Sequence, residues 1–271
     1  MRRLEGRVAV VTGAASGIGR ATSELLARRG CDVALVDIDE ERAEIVAQDI
    51  AAAGRKATVH VADVADAQRM AALADEVASE HGQIHILMNN AGVAAVDTFA
   101  NHDMDDFAWV VGVNFWGVVR GCKAFLPQLL RADEAHIVNV SSMFGFIGLP
   151  TQSAYCATKF AVRGFSEALW CEFSGTSVGV TCVHPGGIRT NIIKSSRTPD
   201  AAQKSELVDL FETKALLPER AAEKIVRGIE RRKQRVVICR ESFATDWAKR
   251  AFPALTQRLV AWSYRRNLDK E

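Results

Sequence analysis

Short runs of β-branched and other apolar residues recur along the chain at 7–11 (RVAVV), 32–36 (DVALV), 57–62 (ATVHVA), 84–90 (IHILMNN), 136–141 (HIVNVS), 178–184 (VGVTCVH) and 235–239 (RVVIC). Between them lie longer stretches of helical character, such as 19–30, 40–54 and 67–82. Strands apolar on both faces and separated by helices are what a parallel sheet covered on both sides requires. The pattern predicts an α/β fold built on one doubly wound parallel sheet of about seven strands with helices on both faces. No Pro/Gly/Ser-rich linker and no repeat of fixed period divides the 271 residues. The expected organisation is a single domain over 1–242, followed by a helical extension over 243–271 that packs on the core or on a subunit neighbour. The polar stretch 190–218, with SSRTPD inside it, is expected to be the most mobile.

Composition narrows the choice of partners. The formal net charge is +1 and the basic residues are scattered, so no nucleic-acid surface is expected. The amino-terminal MRRLEGRVAVV reaches only a short apolar run, neither a signal peptide nor a spanning segment. The chain is therefore expected to begin near residue 1 and to reside in the cytoplasm. Six cysteines form no CxxC pair and no Cys/His cluster of metal-ligand spacing, so they read as free, mostly buried thiols and no metal is expected. The six histidines are dispersed and none is assigned chemistry.

The first predicted strand runs directly into TGAASGIGR (12–20), which opens a helix. Gly13, Gly17 and Gly19, with Ser16 and Ile18 between them, let the backbone turn tightly and approach a pyrophosphate at the positive end of that helix. The spacing is not G-x-G-x-x-G; its position after the first strand makes it a dinucleotide loop. Asp37, eighteen positions after Gly19, ends the second strand, where a carboxylate accepts hydrogen bonds from ribose hydroxyls and repels a 2′-phosphate. Outside that context Asp37 reads as an ordinary strand-end residue. Residue 38 is Ile and residue 16 is Ser, so neither supplies a cation for a phosphorylated ribose. The expected cofactor is NAD, with NADP the lesser alternative.

In SAYCATKFA (153–161), Tyr155 and Lys159 lie four positions apart on a predicted helix, which puts both on one face. A phenol with its usual pKa of about 10 is a poor base at neutral pH, and a nearby fixed cation lowers that value. Alone, the pair describes equally well a surface tyrosine beside a solvated lysine.

Taken in order, the loop, NNAG (89–92), Asn114, NVSS (139–142), YCATK (155–159) and PGGIRT (185–190) make the sequence resemble the short-chain dehydrogenase/reductase family over roughly 5–240, a Rossmann-type fold. The resemblance implies that Tyr155 is the general acid/base and that Lys159 lowers its pKa and bonds the nicotinamide ribose. It implies that Ser142, thirteen positions before the tyrosine, rather than Ser141, donates to the substrate oxygen. It further implies that Asn114 holds a water in a proton relay. Asp63 and Val64 match the dipeptide beside the adenine, and Asn90, Ala91 and Gly92 the turn lining the cofactor. Pro185, Gly186, Ile188 and Thr190 match the segment closing over the nicotinamide end.

The expected reaction interconverts a secondary alcohol and a ketone. A hydride passes to or from the nicotinamide while the protein manages one proton. The apolar MFGFIGLPTQ (143–152) offers Phe144 and Leu149, with Ser142 and Tyr155, as a lining for an uncharged, fairly apolar substrate; Phe146, Ile147 and Pro150 serve equally as lining, core or subunit contact. Arg189, Lys194 and Arg197 are the cations available if the substrate is charged. Two alternatives stand beside this: a non-catalytic dinucleotide-binding or redox-sensing protein, and the same chemistry on a small diol or hydroxyketone. A homodimer or homotetramer is implied by the family's pairing of the helices around Asn114 and Tyr155. Peripheral membrane contact through 243–267, which mixes aromatics with Lys and Arg, is a minor alternative to packing, and Pro253 is expected to interrupt that helix.

Overall fold

The computed structural model describes residues 1, 3–199, 205, 208, 213 and 215–268, the last two by their backbone alone. The strands are β1 (Val8–Thr12), β2 (Asp32–Asp37), β3 (Ala57–Val61), β4 (Ile86–Asn89), β5 (Ala135–Val140), β6 (Val178–His184) and β7 (Arg235–Val237), each within two residues of its predicted run. They form one parallel sheet in the order β3-β2-β1-β4-β5-β6-β7. The helices are α1 (Gly17–Arg28), α2 (Glu40–Ala52), α3 (Ala67–His81), α4 (Met104–Val111), α5 (Gly117–Arg131), α6 (Ser153–Glu172), α7 (Pro218–Glu230), α8 (Arg240–Ala251) and α9 (Pro253–Leu268).

Alternation along the strands fills two cores, one on each face of the sheet. Val11, Leu35 and Val138 point into the first with Ile225 of α7. Val10, Leu87 and Ile137 point into the second with Phe125 of α5. Burying each such large side chain contributes ~1.5–3 kcal/mol. The strand order reverses between β1 and β4, the point at which open α/β sheets bind ligands beyond their carboxyl ends. Loop 12–20 leaves β1 there, and the 89–92 turn leaves β4 beside it. The sheet thus brings together two motifs 77 residues apart, Asn90 Nδ2 donating to the Gly13 carbonyl at 3.1 Å.

Two buried histidines tie fold stability to pH. His136 Nε2 lies 2.7 Å from the Thr181 hydroxyl, which itself donates to the Lys233 carbonyl, so Nε2 carries the proton and Nδ1 has no partner. His184 donates from Nδ1 to the Ser142 carbonyl at 3.1 Å, stacks on Phe146 with ring centroids 4.2 Å apart, and leaves Nε2 without a partner. Burial pushes both imidazoles down to about 3. Unfolded, each takes up its proton near 6.5, so between about 6.5 and 3 the unfolded chain binds more protons and stability falls as pH falls. The expected loss is up to ~1.4 kcal/mol per pH unit for each histidine below 6.5. Denaturant melts from pH 7 to 5 check this, and His136→Gln, which keeps a donor to Thr181, is expected to reduce the slope.

All six cysteines are free thiols, five buried and Cys171 exposed. Of the stretch 190–218, residues 200–204, 206, 207, 209–212 and 214 lie outside the described residues, so its expected mobility falls partly there. The carboxyl-terminal helices begin at Arg240, directly after β7 and three residues before the predicted boundary, and Pro253 opens α9 as a separate helix. Residues 269–271 of that extension are outside the described set. Among the described residues no helix is long and apolar enough to cross a membrane.

Candidate active site

The dinucleotide loop is shaped by contacts that only glycine permits. Gly13 and Gly17 hold φ of 65° and 53°, a region that side chains other than glycine rarely adopt. A Cβ on Gly19 would lie 2.0 Å from the Gly13 carbonyl oxygen, so α1 starts hard against the turn. Ser16 is the N-cap of α1 in extended conformation, and its hydroxyl makes no cap hydrogen bond. The first N–H groups of α1 thus open from the loop without a side-chain cap. Asn90 fastens the neighbouring turn by donating from Nδ2 to the Thr12 and Gly13 carbonyls at 3.0 and 3.1 Å. Thr12, which the sequence reading did not single out, accepts at its hydroxyl from the Asn90 and Ala91 N–H groups at 3.0 and 3.1 Å. Nothing local marks Thr12, because its partners come from β4.

Asp37 closes β2 beside this loop. Its carboxylate accepts from the Ala15 N–H at 2.8 Å and the Asp39 N–H at 3.1 Å, which fixes it at the loop's edge. Ile38 projects into solvent, 72 % exposed. Nearby guanidiniums are committed elsewhere, Arg20 to Glu24 and Asp49 and Arg42 to Asp39. Asp63 is exposed and accepts from the Ala65 N–H at 2.8 Å, while Val64 is buried against Gly117. Thr190 leans on Gly17, whose added Cβ would meet Thr190 Cγ2 at 2.9 Å. Pro185 accepts at its carbonyl from the Met143 N–H at 2.7 Å, and Ile188 is buried and bridged to Leu216. Gly186 packs against Glu241 and Ser242 of α8, leaving no room for a Cβ.

At the carboxyl end of β5 the two serines part company. Ser141 donates its hydroxyl to the Lys159 carbonyl at 2.7 Å and so ties β5 to α6. Ser142 caps the turn at 143–145, accepting from the Phe144 N–H at 3.1 Å, and its hydroxyl acts on the Tyr155 phenol in the sense that favours the ionised form. Tyr155 is half-buried, its ring edge-on to Phe144 with centroids 6.0 Å apart. Lys159 is buried one turn on; its Nζ donates to the Val140 carbonyl at 3.1 Å and lies 5.4 Å from the Tyr155 ring centroid.

Asn114 arrives from an unexpected direction. Residues Gly112–Trp116 form a π-helical turn between α4 and α5, a distortion frequent at functional sites. The Asn114 side chain accepts from the Val93 N–H at 2.8 Å, donates to the Val93 carbonyl at 2.9 Å, and reaches the Thr158 hydroxyl at 3.4 Å. Gly92 sits between Asn114 and Lys159; a Cβ there would be 3.3 Å from Asn114 Oδ1 and 3.6 Å from Lys159 Nζ. Within that side chain, the second lone pair of Oδ1 is what remains for a bound water.

Burial dominates the electrostatics of this corner. In the chain itself burial pushes the Tyr155 phenol up to about 12, opposed by the Ser142 hydrogen bond, and no lowering by Lys159 is resolved. The same burial lowers the Lys159 ammonium to about 8. Desolvation disfavours both charged forms, and the ammonium is held by the Val140 carbonyl over the face of the ring.

Of the apolar segment before Tyr155, Phe144 and Leu149 are half-buried, whereas Phe146 and Ile147 are buried in the core. The three candidate cations are placed elsewhere. Arg189 and Lys194 line a cleft of about 210 Å³ with Gly17 and Thr190. Arg197 pairs with Asp106 at 2.6 Å and stacks on Trp109. Among the described residues, one trio has metal-ligand reach, His60, Glu76 and Glu80. Arg69 already neutralises Glu76 there at 2.7 Å, making it an ion-pair network.

A family model of short chain dehydrogenases matches residues 7–201, the span that carries the loop, the serines, Tyr155 and Lys159. The chain is a short-chain dehydrogenase. It is 41% identical over 265 residues to the oxidoreductase SadH of Mycobacterium tuberculosis, covering 96% of each chain. It is 38% identical over 190 residues to D-threitol dehydrogenase of Mycolicibacterium smegmatis, covering 70% of this chain and 73% of that one. Among solved structures, a short-chain dehydrogenase/reductase from Burkholderia phymatum in complex with NAD superposes with a TM-score of 0.88 at 30% identity, covering 95% and 97% of the two chains. This short-chain dehydrogenase is thus an oxidoreductase by family, with a small-molecule alcohol or ketone as its class of substrate.

Proposed function

We propose that this short-chain dehydrogenase is an NAD-dependent enzyme interconverting an uncharged, fairly apolar secondary alcohol and its ketone, with Tyr155 as general acid/base. One observation carries the reading: Ser142, Tyr155, Lys159 and Asn114, brought from the end of β5, α6 and the π turn, converge on one corner of the sheet, Lys159 Nζ lying 5.4 Å from the Tyr155 ring centroid and Gly92 sitting between Lys159 and Asn114. A non-catalytic dinucleotide-binding protein has no use for the complete set.

The residues at the loop fit a dinucleotide, because Gly13, Gly17 and Gly19 leave a cradle that side chains would fill. Asp37 accepts ribose hydroxyls and Ile38 offers no cation to a 2′-phosphate, which favours NAD over NADP. Asp63 and Val64 flank the adenine; Asn90, Ala91 and Gly92 line the middle; Pro185, Gly186, Ile188 and Thr190 close over the far end. Bound there, NAD supplies the hydride acceptor and, when oxidised, a positive charge in the site. Tyr155, as phenolate, takes the hydroxyl proton of the alcohol. Ser142 turns its hydroxyl to the substrate oxygen and holds it as charge develops. Lys159 stabilises the phenolate, and Asn114 keeps Val93 and Thr158 in place around it. Phe144 and Leu149 give the lining its apolar character.

A second reading, a small diol or hydroxyketone as substrate, is favoured by the similarity to D-threitol dehydrogenase. A homodimer or homotetramer is supported by Trp116, Leu130, Phe160 and Trp170, large apolar groups exposed on the helices around Asn114 and Tyr155. A cytoplasmic location remains the expectation for such an enzyme.

The two serines provide the test. Ser142→Ala is expected to lower kcat/KM by about 100-fold with stability little changed. Ser141→Ala, which cuts the tie to α6, is expected to cost ~1 kcal/mol of stability and to leave the chemistry within a few-fold. The reverse pattern in steady-state rates and melting would sink the assignment.

A further inference from the structure

Within the single chain the carboxyl-terminal helices pack one face on the body and leave an apolar face uncovered. Among the residues of α9 whose side chains are described, Thr256, Gln257, Val260 and Tyr264 are partly covered; these share one face, which meets the body. Gln257 Nε2 donates to the Gly148 carbonyl at 3.0 Å, and Thr256 donates to the Ala248 carbonyl of α8 at 3.1 Å. The opposite face carries Leu255, Leu259 and Trp262, at i, i+4 and i+7, all more than half exposed. In α8, Phe243 and Trp247 form a second exposed pair, Trp247 at 67 %.

The charges around these groups are one-sided. Residues 240–271 carry seven cations, Arg240, Lys249, Arg250, Arg258, Arg265, Arg266 and Lys270, against Asp269 and Glu271 at the end of the chain and two acids within α8, Glu241 and Asp246. Both acids of α8 are turned to the body: Glu241 accepts from the Gly187 N–H at 3.1 Å, and Asp246 is buried against Arg235. Arg258 and Arg265 flank the α9 stripe, and Arg266 lies 5.4 Å from the Trp262 ring centroid. An exposed apolar stripe with tryptophans and a rim of arginines is what a helix lying in the headgroup region of a bilayer requires.

We propose that α8 and α9 dock this protein on an anionic membrane surface, the apolar stripe entering the boundary between headgroups and acyl chains and Arg258, Arg265 and Arg266 facing lipid phosphates. A second copy of the chain is the poorer occupant, because a two-fold contact through this face sets its arginines Arg258, Arg265 and Arg266 against themselves. Gln257 fastens the docking element to Gly148, in the segment that leads to Tyr155, so docking places the substrate-lining segment near the bilayer.

The test is sedimentation of the whole chain with phosphatidylcholine vesicles, with and without about 30 mol% phosphatidylglycerol. The expected result is partitioning at least about tenfold stronger onto the anionic vesicles, weakened by salt at about 1 M. Arg258→Gln with Arg265→Gln is expected to weaken it several-fold and to reduce the salt dependence. Trp247→Ser with Trp262→Ser is expected to weaken it about tenfold and to remove the blue shift of tryptophan emission that vesicles produce in the parent chain. These side chains are exposed, so melting temperature and turnover of a water-soluble alcohol stay as in the parent. Equal sedimentation with neutral and anionic vesicles would overturn the proposal. So would a concentration-dependent self-association without vesicle binding that the tryptophan substitutions abolish.

Discussion

Replacing Tyr155 by phenylalanine is expected to lower kcat/KM for alcohol oxidation by about 1,000-fold, with NADH affinity within a few-fold of the parent. The substitution removes one oxygen and leaves the ring, so the edge contact with Phe144 and the place of Lys159 over the ring face survive. Ser142 keeps its capping bond from the Phe144 N–H. The melting temperature is therefore expected to move little. The pH profile carries separate information. Because burial holds the phenol at about 12 in the free chain, the phenolate fraction rises with pH, and the oxidation rate of the parent is expected to rise with it. In Tyr155→Phe that dependence should vanish together with the rate. Activity within tenfold of the parent, or an unchanged profile, would remove Tyr155 from the proton transfer.

The second large effect is expected at Gly19. Gly19→Val places a Cβ 2.0 Å from the Gly13 carbonyl oxygen, 2.6 Å from Asn90 Nδ2 and 2.8 Å from the Gly13 carbonyl carbon. Two of these atoms are backbone, and the third is pinned by its bonds to Thr12 and Gly13. No flexible side chain can yield, so the turn after β1 and the turn after β4 must separate, and the N–H groups of α1 move from the cradle. NADH binding is expected to weaken by about 100-fold, or ~2.7 kcal/mol, with a lower melting temperature. Gly54→Ala is the control. Gly54 also has positive φ, 78°, but nothing lies within 4 Å of its added Cβ, so about 1 kcal/mol of stability is the expected cost with NADH affinity unchanged. Fluorescence titration of the two variants separates loop geometry from backbone strain.

These residues also show what a sequence makes legible. The strands were readable because a buried parallel strand is apolar on both faces and leaves a continuous run; the loop and Asp37 were readable because their chemistry is local and ordered along the chain. The π turn at Gly112–Trp116 was not, since one extra residue within a helical stretch from 104 to 131 leaves no compositional mark. Ser141 and Ser142 are the same residue type, so only spacing could rank them; their different partners, the Lys159 carbonyl of α6 for Ser141 and the Phe144 N–H for Ser142, appear only in three dimensions. His184 carries no local mark in the sequence, yet it donates to the carbonyl of Ser142 from the neighbouring strand and stacks on Phe146. Phe146 was thereby moved from candidate lining to core. The tail is legible only in part, for a related reason. Aromatic residues mixed with arginines predict an amphipathic helix, but which face meets the body depends on contacts such as Gln257 with Gly148, 109 positions apart.

The central claim is tested most directly by following NADH formation from NAD over a panel of secondary alcohols running from small diols to sterols, with NADP as the alternative cofactor and the ketones assayed in reverse. The account predicts turnover with NAD that is strongest on apolar members and markedly weaker with NADP. NADH binding without turnover of any member in either direction, or a clear preference for NADP, would contradict it.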